Sequence, residues 1–136
     1  MRGLSTFDYA VIRVVPRVER EEFINAGVIV SCPSLRFLKA VVELDPRRLA
    51  ALDPTLDAEI ILGYLETIPV ICAGGAEAGE ISKLPQRARF HWLTAPRSTI
   101  IQTSPAHSGL CSDPQDVLED LLEKMVRLSP TDTQSV

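Results

Sequence analysis

The chain has 136 residues, 46% of them hydrophobic, and its 14 Lys+Arg against 18 Asp+Glu give a formal net charge of −4. That length suits one domain with a core of its own, and the acidity argues against a dedicated duplex-DNA binder, whose footprint is a basic face. No run reaches the roughly 18 apolar residues of a membrane span, and no signal-peptide pattern opens the chain. The three cysteines, Cys32, Cys72 and Cys111, have no Cys-x-x-Cys spacing and fit reduced thiols. A cytoplasmic location without cofactor or metal is expected.

The first element is "YAVIRVVP", Tyr9 to Pro16. It is rich in β-branched residues without strict alternation, which reads as a strand buried on both faces and ended by its proline. The charged "RVEREEF" connects it to a second strand, Ile24 to Cys32, and after a Pro33-Ser34 turn Arg36 to Leu44 makes a third. Short connections favour antiparallel neighbours, so these three form a meander.

Asp-Pro then recurs at Asp45-Pro46, Asp53-Pro54 and Asp113-Pro114. Aspartate accepts from the free amides of a first helical turn and proline loses no bond there, so each pair predicts a helix start. Only a short turn fits after Pro46. After Pro54 the spacing of Leu56, Ile60, Ile61, Tyr64, Leu65 and Ile68 predicts a helix ended or kinked by Pro69, then a flexible loop, "CAGGAEAGE". Lys83 to Arg97 reads as a short helix or packed segment and Ser98 to Ser104 as a fourth strand. "SPAHSGLCSDP" reads as a connector in which Gly109 supplies a positive-φ turn and Leu110 plugs the core beside a packed Cys111. The last helix runs from Pro114 to about Leu128. Together these predict a single α+β domain over residues 1–128: a small, mainly antiparallel sheet of about four strands with helices packed mainly on one face. Residues 129–136 read as a frayed tail.

Chemistry-bearing groups are few. A metal site fits poorly, since only His107 and Cys111 are close in sequence and zinc ligands usually come as two near pairs. His107 with Cys111 or Ser108 lacks any nucleophile signature. Lys83, Arg87, Arg89 and Arg97 form a basic run with no acidic residue between them, interleaved with His91 and Trp92. Arginine forks suit phosphate or carboxylate, Trp92 suits stacking, and Ser98 and Thr99 add donors. Arg47 and Arg48 sit at a helix start that favours anions. Against this stands the common case of solvated surface charge. Glu19, Glu21 and Glu22 lack a second acidic group to complete a magnesium site.

Three motifs in order carry a family resemblance. "EFINAGV" matches E-x-x-N-x-G-V, "RFHWLTAPR" matches R-F-x-x-L-x-x-P-R, and "HSGLCSDP" matches H-x-G-L-C-x-D-P. From about Phe7 to Leu128 the chain resembles a bacterial domain-of-unknown-function family, number 3037. The matching residues are Arg13, Glu22, Asn25, Gly27, Arg89, Phe90, Arg97, His107, Gly109 and Asp113. The resemblance implies no established activity; members encoded beside HipA-like kinases imply an accessory role.

The leading expectation is therefore a non-enzymatic accessory protein that associates with a protein partner, a kinase-like protein or itself. The alternative is a phosphate- or nucleotide-binding domain or enzyme, with Arg13, Arg89 and Arg97 holding the anion, His107 as acid/base, and Glu22 or Asn25 in support. It requires Arg13, Glu22, Arg89 and His107 to converge on one concavity. A single-stranded nucleic-acid module using Arg87, Arg89 and Trp92 ranks last, because the net charge is negative.

Overall fold

One antiparallel sheet organises the molecule, and its central strand is the first. The computed structural model describes residues 3–75 and 79–127. Strand β1 (Ser5–Val14) pairs on one side with β2 (Ile24–Cys32), which pairs with β3 (Phe37–Val42). Its other side is shared by two short strands, β4 (Ile101–Thr103) against Ile12–Val14 and β5 (His107–Cys111) against Ser5–Tyr9. The meander expected from sequence is present and the class is α+β. β2 has the expected bounds, and β1 begins earlier than expected because β5 gives Ser5–Asp8 a partner.

Helices α1 (Pro46–Leu52), α2 (Ala58–Ala73) and α3 (Gln86–Thr94) cover one face, packing Leu49, Leu65 and Phe90 onto Ile12, Val14 and Ile29. Helix α4 (Pro114–Leu121) and the π-helical turn Leu122–Val126 cover the other, packing Leu118 and Leu122 onto Val28, Val30 and Cys32. The register of β1 and β2 slips between Ile12 and Arg13, where Ile12 faces Gly27 but Arg13 faces Asn25. The extra residue, Ala26, re-aims the start of β2. No helix among the described residues is long and apolar enough to cross a membrane.

Two Asp-Pro pairs start helices as expected: Asp45 and Asp113 accept from the amides of Arg47 and Gln115 at 2.9 Å. The third does not. Asp53 closes α1 and spends its carboxylate on the Thr55 amide and hydroxyl, at 3.0 and 2.6 Å. Asp57 caps α2 instead, through the Glu59 amide. Nor does Pro69 end α2, which continues to Ala73; Ile68 and Cys72, either side of it, stay buried in one core. That packing holds the helix past its missing amide.

The expected connector at His107–Cys111 is β5. Gly109 has no positive φ there; a Cβ on it would lie 2.7 Å from Cζ of Phe7, so the glycine admits the Phe7 ring. Leu110 is 64% exposed and plugs nothing, whereas Cys111 is packed at 6%. Between β4 and β5 the Ser104 amide donates to the Val11 carbonyl (2.8 Å), and the Val11 amide donates back to the Ser104 hydroxyl (2.9 Å). A side-chain oxygen thus takes the place of a ladder carbonyl where Pro105 bends the chain. The expected tail, residues 129–136, and part of the "CAGGAEAGE" loop lie outside the described residues.

Candidate functional site

Arg13 stands on β1 between Asn25 of β2 and Gln102 of β4 in the same cross-strand row. Its guanidinium lies 4.2 Å from the centre of the Phe23 ring. The Arg13 Nε is buried and has no hydrogen-bond partner, and neither has the buried Oδ1 of Asn25. The orientation of Asn25 is fixed by its Nδ2, which donates to the Met125 carbonyl at 2.9 Å. Neighbouring strands therefore carry a buried donor and a buried acceptor that the protein does not satisfy, a rare state that points to a site.

Arg97 reaches the same place from the segment after α3. Its Nη1 and Nη2 donate to the carbonyls of Leu93 and Trp92 at 2.9 and 2.5 Å, and its guanidinium lies 4.5 Å over the Trp92 ring. These contacts hold the cation at the C-terminal end of α3. Arg13, Glu21, Phe23, Arg97, Ser98 and Gln102 line an open cleft of about 230 Å³. Among the described residues, no carboxylate lies within 4.0 Å of either guanidinium. On the other face of β4 a recess of about 170 Å³ is lined mainly by apolar groups, among them Tyr64, Ile68, Trp92 and Ile101; Arg97 and Gln102 belong to both walls.

A family model described as "Protein of unknown function (DUF3037)" matches residues 9–126. The chain belongs to that family. No curated protein and no solved structure matches it. The matched span of this DUF3037 chain contains every residue of the cleft.

The other candidates of the DUF3037 domain lie apart from the cleft. Arg89 is buried inside the fold, where its Nη1 donates to the carbonyls of Ile71 and Cys72 at 2.9 and 2.7 Å and its Nε to that of Leu84 at 2.8 Å. It closes the C-terminal end of α2. His107 is exposed on β5 opposite Tyr9, ring centres 5.3 Å apart. Tyr9 and Arg13 are about 13 Å apart along β1 at strand rise. Glu22 is exposed and pairs with Arg20 at 2.6 Å. The four residues required to converge for the enzyme reading do not share one concavity; Arg13 and Arg97 do, and Asn25 stands beside Arg13 on the next strand.

Nor is the basic run one patch in this DUF3037 protein. Lys83 pairs with Glu80, and Arg87 with Asp8 at 2.6 Å. The Asp8 carboxyl also accepts from the Ser108 hydroxyl. Burial alone would raise its pKa; Ser108 and Arg87 outweigh that and hold it below the ordinary value. Arg48 donates to the Val126 carbonyl at the end of the last helix. Among the described residues, no group of three His, Cys, Asp or Glu side chains could hold a metal ion. Phe23 and Gln102 were missing from the sequence-based set. The signal for them was Arg13 itself, a cation inside a β-branched run, whose cross-strand neighbours follow once the register is known.

Proposed function

We propose that this DUF3037 protein is a non-catalytic recognition domain that holds an anionic group of its partner between Arg13 and Arg97. The observation that carries the reading is the pair of guanidiniums lining one cleft without a carboxylate partner among the described residues. A half-buried arginine whose Nε is buried and unpaired is biased toward an acceptor, and charge-assisted bonds to carboxylate or phosphate are the strong ones. The lining supports binding rather than turnover. It offers donors at Arg13, Arg97, Ser98 and Gln102 beside one carboxylate, Glu21, while the imidazole of His107 stands elsewhere on β1's flank. The three buried thiols are in keeping with a reducing, cytoplasmic setting.

The test is NMR of the arginine Nε–H signals during titration with inorganic phosphate and with acetate. Saturable displacement of the Arg13 signal, lost in Arg97→Met, is the expected result. An Arg13 signal that stays still up to tens of millimolar of either anion overturns the reading.

A further inference from the structure

Strand β4 ends the sheet in the order β3-β2-β1-β4, so one of its two edges faces outward. The bonds Val15 N–H to Ile100 carbonyl and Ser104 N–H to Val11 carbonyl fix which groups face inward. Antiparallel pairing alternates, so Ile100, Gln102 and Ser104 address β1 while Ile101 and Thr103 direct their amides and carbonyls to the open side. The Ile101 carbonyl also accepts the Thr99 hydroxyl at 2.9 Å. Thr103 has no main-chain bond of that kind among the described residues, which makes it the anchor of the edge.

The two cavities flank this edge on opposite faces. The recess on the α2–α3 face is mainly apolar, with Tyr64 and Trp92 at its lip 54% and 42% exposed. The cleft on the other face carries Arg13 and Arg97. An extended chain laid along β4 sends successive side chains to alternate faces. One set would enter the mainly apolar recess and the next would reach Arg13, with Arg97 within range of both.

From this we infer that the partner is an extended protein segment of alternating apolar and acidic residues that adds to β4 as a further strand. The inference rests on the anion-binding reading and names its ligand. Main-chain bonds to Ile101 and Thr103 supply affinity, and the alternation supplies specificity. Arg97 lines both walls and favours neither register, so Arg13 makes the choice: a one-residue slip would push carboxylates into the mainly apolar recess and leave Arg13 facing an apolar group.

The experiment uses the whole chain and three probes: a six-residue peptide alternating glutamate and valine with blocked ends, a peptide of the same composition with glutamates and valines in separate blocks, and a mononucleotide. The alternating peptide is expected to bind, to shift the Ile101 and Thr103 amides, and to slow their hydrogen exchange. The blocked-order peptide should bind at least about tenfold more weakly. Arg13→Met should cost about tenfold, since it removes one of the two guanidiniums that hold the carboxylate and leaves Arg97 alone. Thr103→Pro, which removes an outward amide and spares the β1 ladder, should cost a similar factor. N-methylation of the peptide's alternate amides checks the same bonds without altering the protein. Equal binding of the two peptide orders overturns the inference. So does a mononucleotide that moves Trp92 and Arg13 but leaves the β4 amides unchanged, although the anion reading then stands. If neither phosphate nor any probe moves Arg13, both fail together.

Discussion

Replacing Arg89 by methionine separates a ligand-binding arginine from a structural one. Arg89 is 8% exposed and donates to three carbonyls, two of which, Ile71 and Cys72, belong to the last turn of α2. Methionine keeps much of the volume and removes the donors. Each abandoned acceptor of the α2 end costs about 1–3 kcal/mol, and the lost positive charge at a helix C-terminus adds about 0.3–1 kcal/mol. The Leu84 carbonyl belongs to an exposed residue and finds water at little cost. Part of the loss is offset by methionine's apolar packing, so a net destabilisation of about 3–4 kcal/mol is expected. For a chain of this length the unfolding entropy is about 0.3 kcal/mol per kelvin, which converts the loss to a drop in Tm of roughly 10–14 °C. The single tryptophan, Trp92, gives a fluorescence signal for urea and thermal unfolding. Arg89→Lys, a point charge without the fork, should recover only part of the loss. If Arg89→Met melts within about 3 °C of the parent, or loses anion binding while keeping its stability, the assignment of Arg89 to the helix end is refuted.

Three further outcomes follow from other contacts. Ser104→Ala should cost about 1–3 kcal/mol by equilibrium unfolding, because the Val11 amide loses its buried acceptor. Gly27→Ala should destabilise more than Gly109→Ala when urea midpoints are compared. A Cβ on Gly27 would sit 2.5 Å from the Val41 carbonyl oxygen, which is main chain, whereas that on Gly109 meets the Phe7 ring, which can tilt. Acid unfolding should track Asp8 and Glu43, whose carboxyls lie below their ordinary pKa in the fold; for Glu43 the bond from Arg127 prevails over burial. Their contribution is complete above the unfolded pKa and is lost as pH falls through the folded one, so urea midpoints should decline below about pH 4.5. Asp8→Asn should flatten that decline, and an unchanged slope would contradict it.

The sequence was legible where local chemistry acts alone. β2 has the bounds its apolar run indicates, and Asp45 and Asp113 cap helices as their Asp-Pro context predicts. Asp53 has the same dipeptide and failed, because Thr55 offers its carboxylate a closer use and Asp57 lies at the better position for α2. β5 was illegible because a polar five-residue strand owes its existence to the free side of β1 rather than to its own pattern. Arg89 and Arg97 look alike in sequence. Only the packing of α3 on α2 turns the first into the core and leaves the second at a cleft. Arg13 and Asn25 could be named singly, but their adjacency depends on a register that includes a bulge.

The interruption at Ser104 also bears on how the protein avoids itself. A continuous strand along the free side of β1 would offer other copies a long ladder to zip onto, the usual route to edge-to-edge aggregation. Here that border is cut into three residues of β4 and five of β5, with a proline after Ser104. Neither piece is long enough to hold a stranger by main-chain bonds alone. Because the Ser104 hydroxyl keeps the sheet closed behind the cut, this protection does not leave the Val11 amide bare. Selectivity at this border is thereby left to side chains, and a cognate segment must bring them.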